Sequence, residues 1–243
     1  MKRLIVICTV IVLVLYVSGC GKADKSEVSS AQSIQEQTPT ETDAADTDNA
    51  FSAAETESAQ NEKKGNDILI VYFSASNMND TDAVTSATPL IDGTSSVEWI
   101  ANIIREETGA DVVKIVPTED YPLSYNDVTD AAKKEADNEV HPSIQPLDVD
   151  PTAYKTVFIG YPMWWYRMPM VLETFFDTYD FSGVTIIPFD THEGSRDGGT
   201  YDMIRDREPN ATVLDGIAIR GGDAGEDSAR DDIRNWLDGL NLN

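Results

Sequence analysis

The sequence predicts an α/β domain over residues 66–243: a doubly wound, five-stranded parallel sheet with helices on both faces. Three observations predict it. Ile68-Leu69-Ile70-Val71-Tyr72-Phe73 is a continuous apolar run, the pattern of a central parallel strand covered on both faces. Similar short runs alternate along the chain with stretches whose apolar residues recur at helical spacing. The third is Thr156 to Pro169, where a β-branched run passes into a proline-bounded loop carrying Trp164, Trp165 and Tyr166 before a helix begins near Pro169. In an open α/β sheet, ligands bind outside the carboxyl ends of the strands, so an aromatic loop at that place is where a flat ring would stack.

Each element follows from its own pattern. After the first strand, Val97, Ile100, Ala101 and Ile104 mark one face of a helix. Val112 to Val116 is the second strand, and Asn126 to Asn138, rich in Ala, Lys, Asp and Glu, reads as an exposed helix. The third strand spans Thr156 to Ile159, and Met168, Val171, Leu172, Phe175 and Phe176 form the stripe of the next helix. Val184 to Phe189 is the fourth strand and Thr212 to Ile219 the fifth. A last helix places Ile233, Trp236, Leu237 and Leu240 on one face, which makes Trp236 a packing residue.

The front of the chain has a different composition. Lys2 and Arg3, an apolar stretch from Leu4 to Val17 and then Ser18-Gly19-Cys20 make residues 1–19 a secretory signal ending in a lipobox-like site, as in bacterial lipoproteins, with Cys20 the lipidated first residue of the mature protein. The apolar run is shorter than the roughly 20 residues that span a bilayer. Residues 20–65 are Ser, Thr, Glu, Asp, Gln and Ala with few large apolar groups, an acidic tether too polar to offset the entropy of ordering it. These features imply an extracytoplasmic domain held at a bacterial membrane by lipid on Cys20.

Composition excludes several chemistries. The other cysteine is Cys8, inside the signal, so the mature domain offers no thiolate nucleophile, disulfide or thiolate metal site. The two histidines, His141 and His192, are too few for a multi-histidine metal centre. With 18 basic and 43 acidic residues, a formal net charge of −25, the chain has no counterion-releasing surface for nucleic acid.

Three segments follow the first, third and fourth strands: Ser74 to Ser96, Gly160 to Met168 and Asp190 to Thr200. Ile70-Val71-Tyr72-Phe73-Ser74, Gly160-Tyr161-Pro162-Met163-Trp164-Trp165, and Thr191-His192-Glu193-Gly194-Ser195 with Gly198-Gly199 together resemble the flavodoxin-like family, in particular its exported, lipid-anchored bacterial branch. The resemblance covers about Asp67 to Leu240. It implies a strand order of 2-1-3-4-5 with FMN at the switch between the first and third strands. Ser74 and Thr94-Ser95-Ser96 would then hold the phosphate at a helix N-terminus, where hydroxyls, N–H groups and the dipole favour an anion. The isoalloxazine would lie against Trp164, Trp165 or Tyr166. Backbone groups of Gly160 to Met163, Pro162 among them, and of Thr191 to Gly194 would meet its polar edge, and His192 would donate to flavin or substrate.

This chain departs from the family by inserting Ala75 to Asp92 before the phosphate helix, and by carrying Ser95-Ser96-Val97 where the family has Gly-Asn-Thr. Within the insertion, Asp82-Ala83-Val84-Thr85-Ser86-Ala87-Thr88 resembles the acceptor motif of proteins that carry FMN covalently, which makes Thr88 the matching acceptor.

Three functions are compatible with these features: extracytoplasmic electron transfer to a redox partner; reduction of a quinone-like small molecule by an NAD(P)H-dependent, FMN-containing oxidoreductase; and a non-redox surface lipoprotein with a degenerate flavin site that binds its ligand in the aromatic cleft.

Overall fold

The computed structural model describes residues 67–75, 93–122, 124–240 and 242. Strand β1 (Ile68–Phe73) leads to helix α1 (Ser96–Thr108), then β2 (Asp111–Ile115), α2 (Tyr125–Asp137), β3 (Thr156–Pro162), α3 (Met170–Thr178), β4 (Thr185–His192), α4 (Thr200–Arg207), β5 (Thr212–Val213), β6 (Ile217–Arg220) and α5 (Asp227–Gly239). All the pairings are parallel, in the order β2-β1-β3-β4, with β5 and β6 both alongside β4. The predicted 2-1-3-4-5 arrangement is therefore present.

β1, β3 and β4 are buried along nearly their whole length, as continuous apolar runs require. Their alternate residues feed two cores. Leu69, Val71, Val157, Ile159 and Ile186 face α3, with Phe175 and Phe181 at the centre. Ile70, Phe158, Ile187 and Phe189 face α1 and α5 and meet Ile100, Ile104 and Ile233. Trp236 packs edge-on against Phe158 at 5.8 Å, in the packing role its spacing indicates.

Local signals set the ends of α1. Ser95 caps it by accepting from the Glu98 N–H at 3.2 Å, and Gly109 ends it in the left-handed region at φ +70°, its N–H bonding to the Arg105 carbonyl.

Three expectations change. β3 continues through Gly160 and Tyr161 to Pro162, and β4 through Asp190 and Thr191 to His192, because the two strands stay in register from Thr156↔Thr185 to Pro162↔Thr191. The polar residues Asp190 to His192 are ladder rungs rather than loop. The fifth strand is split. Ile186 accepts from the Leu214 N–H, so its polar groups face β5; Pro188, two residues on, faces the same neighbour and has no N–H to give. The ladder breaks there and resumes one residue out of step, with Ile186↔Val213 before the gap and Phe189↔Ile217 after it. The third change is α4, which the sequence pattern did not single out; its buried residues are Thr200, Tyr201 and Ile204.

Candidate functional site

At the carboxyl end of β1, Ser74 is buried and its Oγ donates to Oγ of Ser95 at 2.6 Å. Ser95 uses that same oxygen as the N-cap of α1, so one buried hydroxyl pair ties the end of the central strand to the start of the helix. Ser96 is the first helical residue and is also buried, and Thr94 is partly exposed just before it. Ser74, Thr94, Ser95 and Ser96 thus converge at one helix N-terminus. Such an end combines free N–H groups, hydroxyls and the positive end of the helix dipole, which suits a phosphate.

β3 ends in Pro162, buried in the sheet, and the Met163 N–H donates to the Thr191 carbonyl at 2.7 Å. The three aromatics then separate. Trp164 is buried, edge-on to Phe73 at 5.4 Å and to Tyr121 at 5.1 Å. Tyr121 is held in turn by a 2.9 Å bond from its hydroxyl to Glu135 of α2. Trp165 and Tyr166 are 51% and 73% exposed. So Trp164 plugs the sheet end and offers an edge, while the next two rings are available for stacking.

A cleft of about 500 Å³ opens beside them. Met163, Trp164, Trp165 and Tyr166 form one side, and Glu193, Gly194 and Ser195 a second. The third side is α2, through Tyr125, Val128, Thr129 and Ala132, none of which sequence reasoning assigned to the site. The signal was present: Val128 and Ala132 are apolar at i,i+4 spacing in a helix otherwise made largely of polar residues and alanine, and both are buried.

His192 is placed elsewhere. It is buried at the end of β4 and lines a separate cavity of about 580 Å³ with Arg196, Tyr201 and Arg220. Its Nδ1 accepts the Gly194 N–H at 2.9 Å, which leaves Nε2 to carry the proton. Burial, then the nearby Arg196 and Arg220, hold its pKa below the ordinary value, so the ring is a neutral anchor for the Gly194 turn. Thr191 is buried in the ladder and serves the site through its carbonyl. Thr88 and Cys20 lie outside the described residues.

Beneath the β4 end, Asp190 is fully buried. Desolvation raises its pKa to about 8, so its carboxyl is largely protonated at neutral pH. Burial, and then Asp190, push the Tyr201 phenol far above its ordinary range. Tyr161, also buried and raised, pairs its hydroxyl with Thr200 at 2.7 Å.

This is a doubly wound α/β sheet with a hydroxyl-lined helix end and an aromatic cleft at the carboxyl side of its central strands, the place where open sheets of this class take their ligands. The sequence model of the flavodoxin family matches residues 67–240, and the chain belongs to that family. It is similar to a Bacteroides eggerthii protein assigned as a flavoprotein, at 26% identity over 71% of this chain and 96% of that one, with a TM-score of 0.55. A flavoprotein assignment from Bacteroides uniformis is similar at 24% identity, covering 72% and 99% of the two chains, with a TM-score of 0.56. A Lactobacillus acidophilus flavoprotein in complex with FMN shares the fold at 19% identity, covering 69% and 97%, with a TM-score of 0.50. No curated protein matches the chain.

The residues present fit FMN. Trp164 Nε1 is a buried donor with no partner among the described residues, on a ring that walls the cleft, and a flavin edge is rich in acceptors. The phosphate end has its hydroxyls at α1, and the ring end has two exposed aromatics.

Proposed function

We propose that the chain is an FMN flavoprotein tethered to the membrane by lipid on Cys20, which passes electrons outside the cytoplasm. The observation that carries the flavin reading is the pairing of two features on adjacent strands: the Ser74–Ser95 hydroxyl pair at the N-terminus of α1, after β1, and the aromatic cleft after β3 and β4. Thr94, Ser95 and Ser96 would hold the phosphate, Trp165 and Tyr166 the ring, and Trp164 Nε1 and the carbonyls of Met163 and Gly194 its polar edge, since the N–H groups of those two residues are engaged by Thr191 and His192. Bound FMN supplies the redox chemistry. The protein's part is to orient the ring, exclude water from one face and surround it with negative charge, which disfavours further negative charge on the cofactor and lowers its potential.

The cleft also supports a second reading, an FMN-dependent reductase of quinone-like molecules. The cleft has a wall on α2, on the sheet face opposite α1, and none of its described lining residues belongs to the phosphate helix, so it offers a second reactant a place of its own.

Mixing the chain with FMN and desalting it tests the flavin reading. A yellow protein that prefers FMN to riboflavin supports both ring and phosphate assignments; a colourless one leaves the non-redox, ligand-binding alternative. Turnover of NADPH with a quinone separates the reductase from the electron carrier. Intact mass of the native protein shows whether flavin phosphate is esterified to Thr88.

A further inference from the structure

The segment 193–199, between β4 and α4, walls two cavities at once. Glu193, Gly194 and Ser195 line the aromatic cleft, and Arg196 and Asp197 line the cavity of about 580 Å³ beside β6. Its backbone is unusual: Gly194, Arg196, Gly198 and Gly199 all have positive φ, and Arg196 does so with a Cβ, at +54°. The segment is fastened at its far end, where the first turn of α4 meets the strands. Tyr161 and Thr200 share a buried hydroxyl bond of 2.7 Å, and Tyr201 donates to Asp190 at 2.6 Å.

Tyr201 is also the partition between Asp190 and water. Its hydroxyl is bonded to the buried carboxyl, and its side chain lines the 580 Å³ cavity. The ring lies on Gly216, where a Cβ would stand 2.7 Å from two of its atoms, so that position is left bare for it. Behind the ring, Oδ2 of Asp190 has no partner among the described residues. The titratable groups that face the carboxyl offer no cation: Tyr161 from β3, Tyr201 from α4, Asp197 from the segment itself, and His192, neutral, next on the same face of β4. On the other side β6 places Ala218 beside it. A neutral carboxyl tolerates this seat. A carboxylate would have an undonated oxygen and Asp197 for a neighbour, so it needs water.

We infer that the Asp190–Tyr201 pair is a protonation latch on the β4–α4 segment: with the carboxyl neutral it holds residues 193–199 in place, and on ionisation Tyr201 leaves its Gly216 seat, cavity water reaches Oδ2 and the segment opens. The aromatic cleft feels the opening through Gly198. A Cβ there would stand 3.3 Å from Met163 Sδ and from the Tyr166 carbonyl, so the segment lies directly on the Trp165–Tyr166 turn, a type I′ reversal with φ of +51° and +60°. An occupant of the cleft is released faster as the segment opens. The latch needs no flavin; only this consequence rests on the flavin reading.

Hydrogen exchange of the full-length chain, read by mass spectrometry and divided at each pH by the intrinsic amide rate, tests the latch. In the closed form burial holds the carboxyl up at about 8, and in the open form it ionises at its ordinary value. Protection of residues 193–203 should therefore fall by about tenfold per pH unit from about pH 5 and level off near pH 8. It should stay below the protection of β1 throughout, which marks the opening as local. Asp190→Asn should abolish the pH dependence. Tyr201→Phe should move the levelling-off to higher pH, because the tyrosine bond lowers the carboxyl's pKa. Release of FMN, followed by its fluorescence, should speed up over the same range in the unmodified chain and stay constant in Asp190→Asn. Protection that ignores pH, a slope that survives Asp190→Asn, an unmoved levelling-off in Tyr201→Phe, exchange no faster than that of β1, or a release rate indifferent to pH overturns the proposal. A chain that binds no FMN yet shows the exchange pattern upholds the latch and sinks the flavin reading.

Discussion

The Tyr201 hydroxyl donates a 2.6 Å hydrogen bond to Oδ1 of Asp190, while Oδ2 of the same carboxyl, equally buried, has no partner among the described residues. One satisfied oxygen and one orphan is the arrangement of a carboxyl that resists ionisation in place. Because α4 carries Tyr201 and β4 carries Asp190, this bond also fastens the helix after the Gly194 turn to the sheet.

A pH dependence of stability follows. Asp190 has a folded pKa of about 8 against an ordinary 3.8, so between those values the folded state binds the proton more tightly than the unfolded chain does. Its contribution is fully present below about pH 4 and is lost as pH rises through about 8. Asp190→Asn should remove that loss. In urea unfolding, the variant's stability relative to the unmodified protein should improve by a few kcal/mol from pH 5 to pH 9.

The cap of α1 serves both fold and site. Ser95→Ala removes the acceptor of the Glu98 N–H and of the Ser74 hydroxyl, and should cost about 1 kcal/mol in urea unfolding. It should also weaken FMN more than riboflavin in a fluorescence titration, because riboflavin lacks the phosphate.

The two adjacent tryptophans should behave differently. Trp164→Ala empties a buried, aromatic-lined position and should destabilise by about 3–5 kcal/mol. Trp165→Ala should stay within about 1 kcal/mol of the unmodified stability, since the side chain is half exposed, while lowering ring affinity. Chemical denaturation of each, with flavin titration of the second, checks both.

Gly160 has a packing role at the start of the site. A Cβ there would stand 2.1 Å from Cζ of Phe189, its register partner on β4, so Gly160→Ala must displace a buried ring between two central strands. A loss of at least 1–3 kcal/mol is expected from thermal or urea melts.

The anchor is a separate matter of sequence chemistry. Cys20→Ser should shift the protein from the membrane to the soluble fraction and abolish acylation; unchanged fractionation would refute the lipoprotein reading.

What the sequence by itself determined is the layering and the address of the site. Continuous apolar runs such as Ile68 to Phe73 reveal buried parallel strands because both faces must be covered. The Ser95 cap and the aromatic segment after Thr156 mark their places because local chemistry suffices for them. Tertiary structure decided how neighbours in sequence divide their work. Trp164 and Trp165 are chemically alike, yet the type I′ reversal at Trp165–Tyr166 sends one into the core beside Phe73 and leaves the other at the surface on α2, a difference of backbone handedness that no composition reveals. The third wall of the cleft comes from α2, near in space through the crossover but distant along the chain. His192, two residues before Gly194, faces a different cavity because β4 runs further than its apolar residues suggest, paired with β3 as far as Thr191 and with β6 at His192 through backbone bonds indifferent to polar side chains. The break at Pro188 escaped the sequence reading, which ran the fifth strand unbroken from Thr212 to Ile219; proline withholds a ladder donor, but which neighbour that donor would have served required the register.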